Sequence, residues 1–224
     1  MMNRFNPIQL ENIEQESKKS EVNTRIIPIS PGEKLGGEFH LIMQQIGLGL
    51  PVEPLLEAYP QIDKWVKAVK PFLEIPGSKE WNAEVQYLYK SQLLHANYDL
   101  IIYQDKQAIG IDWTIQKLSN FQELENSFNT QLRLFLLHEK TQLPLEHINL
   151  VYLFVNADNI YQFTYSQVKH QVFKERLLSI LEQFVVEDVA EETQQEGLEI
   201  IHQRWINKEI STQEYLDAIP EVEL

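Results

Sequence analysis

Cysteine is absent from all 224 residues. That single absence excludes disulfides, iron–sulfur clusters, zinc-finger sites and a thiol nucleophile. No apolar run approaches the roughly 18 residues that a membrane-spanning helix needs, so no membrane association is expected. The opening stretch, MMNRFNPIQLENIEQESKK, lacks the apolar segment of a secretory signal, and a cytoplasmic location is expected. Positive charge is also scarce. There are 19 Lys and Arg against 33 Asp and Glu, a formal net charge of −14. A protein that holds a duplex by neutralising phosphates usually carries a basic surface. A nucleic-acid role therefore has to rest on a local basic face or on bound metal. Neither phosphate-cradling nor nucleophile motifs occur: there is no GxxxxGK[ST], GxGxxG, GxSxG or HExxH. Gly36–Gly37 and the GLG run read as helix-boundary glycines.

What is present is enough for one large domain. Hydrophobic residues make up 43% of the chain and aromatics 10%, and a chain of this length buries roughly 70% of its unfolded surface. Residues 1–34 are polar and charge-rich, with RIIPISPG as their apolar stretch, and read as a mobile arm ending in a short extended piece. A helix is expected over about Gly36–Ile46, from the stripe Phe39, Leu41, Ile42, Met43 and Ile46. Two more, about Pro51–Ala58 and Pro60–Leu73, each open on a proline suited to a first turn. EWNAEVQYLYK, SQLLHANYDLIIYQ and DKQAIGIDW read as a β-meander. One long amphipathic helix is expected over about Phe121–Lys140, then strands in HINLVYLFVN and IYQFTYS and a helix over about Ser166–Val185. An acidic break, EDVAEETQQEG, precedes a short helical tail containing LEIIHQRWI and STQEYLDAI. The order predicts an α/β (α+β) fold with a mixed central sheet flanked by helices. Its expected division is an arm at 1–34, a domain at 35–186 and a linker with helical tail at 187–224.

Three acidic residues stand in apolar surroundings within the meander: Glu84, Asp99 and Asp112. Burying a carboxylate is costly without a compensating cation or hydrogen bonds. If Asp105–Lys106 forms a two-residue turn, Asp99 falls opposite Asp112, where directly opposed β-carbons are about 4.5–5.5 Å apart. Two carboxylates that close repel unless a metal lies between them. With Lys90–Ser91 as the preceding turn, Glu84 faces Asn97 and lies diagonal to Asp99, and Thr114 shares the face of Asp112. A one-residue slip in either turn would undo this arrangement.

The segments GGEFHLIMQQ, NYDLII, IGIDWT and NTQLRLFLL, in that order, resemble the PD-(D/E)XK nuclease superfamily, in particular its RecB-like branch. The resemblance spans about residues 36–155. It implies a restriction-endonuclease-like core and a divalent-metal-dependent nuclease cleaving phosphodiester bonds, with Mg²⁺ or Mn²⁺ as cofactor and nucleic acid, DNA in the first instance, as partner. It implies His40, Asp99 and Asp112 as metal ligands, with Glu84 a further one, and Gln131 as the helix residue facing the site. The sequence departs from the family where a lysine is usual: Thr114 stands there, and Lys117, three residues on, is the substitute cation. Phe135, without a hydroxyl, follows Gln131 by four. Activity is therefore expected to be reduced or lost. The alternative is a non-catalytic relative of the same fold, acting as a protein-interaction module with a protein partner.

Plainer readings stand beside these. His40 also suits a core or capping role, Asp112 a strand-end cap, Glu84 a solvent-facing strand position and Gln131 a helix boundary. Lys64, Lys67 and Lys70 share a face that is either phosphate-binding or simply solvated. His95, His138, His147, His170 and His202 show no metal-ligand spacing and read as surface or core histidines.

Overall fold

The computed structural model describes residues 3–16, 31–117 and 120–182. The chain divides into two compact units, one of which is Met2–Arg176; Leu177–Leu224 belong to the other. The first unit begins with β1 (Arg4–Phe5) and α1 (Pro7–Glu16). Three helices follow, α2 (Pro31–Gly47), α3 (Glu53–Ala58) and α4 (Pro60–Leu73), and then the meander β2 (Ser78–Tyr89), β3 (Gln92–Gln104) and β4 (Gln107–Thr114). The short α5 (Phe121–Asn126) leads into α6 (Phe128–Thr141), and β5 (Ile148–Phe154) and β6 (Asn159–Thr164) complete the sheet. A helix, α7, starts at residue 167 and carries the chain to 182, the end of what is described of the second unit. This is a mixed α/β fold, as expected. Among the described residues no helix is long and apolar enough to cross a membrane.

The arm expected at 1–34 is corrected over 3–16, where Arg4–Phe5 pair in parallel with Leu93–Leu94 of β3 and α1 follows. RIIPISPG lies largely outside the described residues, its final Pro and Gly opening α2. The expected tail at 187–224 lies wholly outside them. The single helix expected over Phe121–Lys140 is two helices. Ser127 leaves the helical region at φ −65°, ψ 151°, and its side chain accepts from the Thr130 amide, capping α6.

Sheet order is β1-β3-β4-β5-β6, with β2 on the other edge of β3. The register follows the two predicted turns: Leu100 faces Ile111 and Glu84 faces Asn97. Lys90 and Ser91 both take positive φ (50° and 65°), the geometry of a two-residue hairpin turn whose twist matches its strands. On one side of the sheet, α2 and α4 cover Leu100, Ile102, Ile109, Ile111, Trp113 and Leu153. On the other lies α6, in contact with β2, β3, β4 and β5. Phe135 of α6 sits edge-on to Tyr87 and Tyr89 and tilted against Phe173.

Two irregularities shape the middle of this sheet. The first is an open edge. Strand β4 pairs with Leu100–Gln104 and β1 with Leu93–Leu94, both on the edge of β3 away from β2, so residues 95–99 between them have no strand partner there among the described residues. The second is a break in alternation. Glu80 reaches Lys140 of α6, whereas Trp81 packs into the α2/α4 layer and Asn82 accepts a hydrogen bond from Gln44 of α2. Neighbouring residues thus face one side, and Asn82 stands at φ 47°, a left-handed conformation that asparagine tolerates better than most residues. Across the ladder, Leu100 and Asp99 likewise both turn toward α2, through the apolar core and through His40.

Candidate functional site

The carboxylates meet at the open edge of β3. Asp99 accepts the Trp113 amide on Oδ2 at 2.8 Å, so its side chain takes over where the β3–β4 backbone ladder ends. Its Oδ1 lies 3.2 Å from Nδ1 of His40, on α2. That hydrogen bond raises the His40 pKa; burial opposes the rise, and the charges of Asp99 and Asp112 add to it. Asp112 follows the regular alternation of β4 and turns the other way, toward α6, where Nη2 of Arg133 lies 3.1 Å from its Oδ1. Asp99 and Asp112 thus reach the same opening from opposite layers, and both line a cavity of about 450 Å³ with Glu84, Asn97 and Arg133.

Arg133 is the residue that sequence reasoning missed. Its side chain is 11% exposed and that of Asp112 is 20% exposed. The guanidinium carbon lies 5.8 Å from the ring centroid of Tyr98 and 5.9 Å from that of Tyr152, distances at which a cation is attracted to an aromatic face. Burial works against its charge, but Asp112 and the neighbouring tyrosines hold it protonated. Burial raises the Asp112 pKa, Arg133 pulls it back, and the charge of Asp99 raises it further. The signal was present in LRLFLL, where one arginine stands among leucines while a strand carboxylate needs a partner.

The remaining predicted residues separate into three groups. Glu84 shares the cavity, but Arg4 and His95 occupy its Oε1, His95 at 3.0 Å. A Gln86 hydrogen bond and the charges of Arg4 and His95 hold its carboxyl below the usual range. Thr114 and Lys117 line a second cavity of about 330 Å³, and Asp112 forms part of the wall of both. The Thr114 hydroxyl accepts the Gln116 amide at 3.1 Å. Gln131 is not brought to the carboxylates: it is buried, and its Nε2 donates to the carbonyl of Glu125 in α5 at 2.5 Å. At about 100° per residue, two positions along α6 is more than half a turn, so Gln131 and Arg133 cannot face the same way. Lys64, Lys67 and Lys70 are exposed, with Lys67 paired to Asp63 one turn back.

In kind, the donors suit a hard divalent ion: two carboxylates at a cavity wall, one of them hydrogen-bonded to an imidazole. Asp99 and Asp112 offer oxygens to the common space, and burial, followed by the charge of Asp99, raises the Asp112 pKa against the pull of Arg133. Arg133 is the competing cation on Asp112. Among the described residues, the one group of three His, Asp or Glu donors gathered within 4.8 Å is His138, Glu139 and His170, two of them histidines that carried no expectation of ligation.

No protein-family model and no curated protein matches the sequence. Among solved structures, the crystal structure of SSO0001 is similar at 13% sequence identity and a TM-score of 0.35, covering 80% of this chain and 77% of that one.

Proposed function

We propose that the chain is a relative of the RecB-like PD-(D/E)XK nucleases, with a restriction-endonuclease-like core and a cytoplasmic location, whose hydrolysis of phosphodiester bonds in DNA is reduced or lost. The observation that supports this reading is that Asp99 and Asp112 line one cavity at the open edge of β3, with His40 hydrogen-bonded to Asp99. Asp99 and Asp112 would hold Mg²⁺ or Mn²⁺, with His40 beside them. Such an ion supplies Lewis acidity and an activated water to phosphodiester cleavage. The chain's own groups do the rest of the work. His40 orients Asp99 by hydrogen bonding, and the Trp113 amide fixes its other oxygen. Arg133 neutralises Asp112 and competes with any ion for it. Thr114, short and neutral, supplies no charge to the phosphate, and Lys117 on the same cavity is the cation that could replace it.

A specific observation favours the second reading, a non-catalytic interaction module: the Arg133–Asp112 pair compensates the buried carboxylate without any ion. Two measurements separate the readings. Mn²⁺ should raise the melting temperature of the native protein by linkage, and Asp99→Asn with Asp112→Asn should abolish the rise. No shift in the native protein rejects the metal site. Activity on DNA with Mn²⁺ should be low, and Thr114→Lys should raise it at least about tenfold, since one electrostatic contact to the developing charge is commonly worth about 10²–10³-fold. If Lys117 already fills that role, Lys117→Ala removes the native activity and Thr114→Lys adds little. Inertness of all three proteins, folded and still binding Mn²⁺, selects the interaction module.

A further inference from the structure

The far end of α6 carries a second cluster of donors, well separated in sequence from the carboxylates of β3 and β4. His138 and Glu139 lie in its last turns, and His170 near the start of α7. One donor atom from each of the three lies within 4.8 Å of the others. The imidazoles meet edge to face, with ring centroids 5.3 Å apart and an interplanar angle of 80°.

Each ring is already oriented by its other nitrogen. Nδ1 of His138 lies 2.9 Å from the carbonyl oxygen of Leu143. A carbonyl only accepts, so in the neutral ring Nδ1 carries the proton and Nε2 is left with its lone pair. Nδ1 of His170 lies 3.1 Å from the Tyr165 hydroxyl, which leaves Nε2 of that ring as the ligand atom when the hydroxyl accepts. This is the way protein metal sites fix ligand tautomers, with an outer carbonyl or hydroxyl holding the nitrogen that does not coordinate. His170 is 9% exposed. Glu139 has no basic partner among the described residues; the Tyr87 hydroxyl hydrogen-bonds to it instead. A carboxylate and two imidazoles gathered this closely form a donor set of the kind that transition ions bind.

We propose that His138, Glu139 and His170 bind a divalent transition ion of the Zn²⁺ type, tying the end of α6 to the start of α7. Two imidazoles and a carboxylate select such ions over Mg²⁺ or Ca²⁺, and three protein ligands leave a fourth tetrahedral position for water. This site is independent of the phosphodiesterase reading.

The test is titration of tag-free, metal-stripped full-length protein with Zn²⁺, with stoichiometry read by native mass spectrometry. Co²⁺ serves as a spectroscopic probe of coordination number. With Asp99→Asn and Asp112→Asn removing the site at β3, one Zn²⁺ per chain is expected to remain, with visible Co²⁺ bands of four-coordinate intensity. His170→Gln and Glu139→Gln, each checked for native circular dichroism, should weaken Zn²⁺ binding at least about tenfold. Asp99→Asn with Asp112→Asn should leave it unchanged. Failure of the native protein to bind Zn²⁺ would overturn the proposal. So would binding that survives both α6/α7 variants, or binding that is lost with Asp99 and Asp112.

Discussion

Three carboxylates, two packed against helix α6 and one carried on it, are partnered differently. Asp112, at mid-helix, has Arg133 in contact and most of its surface buried. Glu80, nearer the C-terminal end, is paired with Lys140 at 2.7 Å but is 41% exposed. Glu139 has no Lys or Arg ion pair among the described residues and meets the Tyr87 hydroxyl and the imidazoles of His138 and His170. The differences show that burial alone does not make a cation site. An acid with an internal arginine is electrostatically closed, and an external ion must displace that arginine. An acid without an internal lysine or arginine stays open.

The strongest way to break this comparison is to remove the internal cation. Arg133→Met should cost about 3 kcal/mol in urea unfolding, because a buried carboxylate left without its partner is strongly destabilising. Arg133→Met combined with Asp112→Asn should recover much of that loss. A cost for Arg133→Met no larger than that of a surface change would mean that Asp112 is not closed by Arg133 at all.

A smaller effect is expected from Asn82, whose left-handed backbone turns its neighbours toward α2. Asn82→Val should cost about 1–2 kcal/mol, since an L residue with a branched Cβ is strained there. It should also draw Asp99 away from His40, so that the His40 pKa, followed by NMR, falls back toward its ordinary value. An unchanged His40 titration would show that the break in alternation does not place Asp99.

The smallest effect belongs to the exposed pair. Lys140→Met should cost about 0.2–1 kcal/mol, the range for exposed ion pairs. Burial tends to raise the Glu80 pKa, but Lys140 and Tyr103 outweigh it and hold the carboxyl below its usual range. A depressed folded pKa means that the contribution is present above the unfolded pKa, about 4.3 for a glutamate, and is lost as pH falls through the folded value. Native and Lys140→Met melting curves should therefore converge on acidification below that point. Curves that stay parallel would remove Glu80 from the account.

The meander was legible because its register hangs on two short turns, and Lys90–Ser91 and Asp105–Lys106 both form them. Once the turns are placed, Asp99 and Asp112 follow as strand acids with apolar neighbours. Their facing did not follow, because strict alternation fails at Asn82 and Asp99, and no propensity marks that failure in a run as strand-like as NYDLII. The pairing of Arg4–Phe5 with β3 was invisible for another reason: it joins segments 89 residues apart, as the Asn3–Gln92 hydrogen bond shows. The division of the helix at Ser127 could have been read, since a serine ahead of a helical run is an ordinary N-cap. Gln131 was given the inward face that Arg133 holds, because a helix so apolar on several sides does not announce which stripe meets the sheet. The His138, Glu139 and His170 cluster has no sequence spacing to find, being assembled from two helices with two strands between them.

The open edge of β3 also has a history in time. Strands β2, β3 and β4 are joined by tight turns and can pair as soon as they leave the ribosome, whereas β1 has to wait for the far end of the hairpin. At about 5–20 residues per second of synthesis, the 89 residues between Asn3 and Gln92 keep the first strand unpaired for several seconds at least. During that interval neither Asp99 nor Asp112 has been made, and the partners of Arg4 and Phe5, Leu93 and Leu94, are the first part of β3 to follow. The N-terminal strand is thus waiting when the first residues of β3 appear, and it can close their edge before β4 exists, an edge that the growing chain would otherwise offer to a neighbouring one.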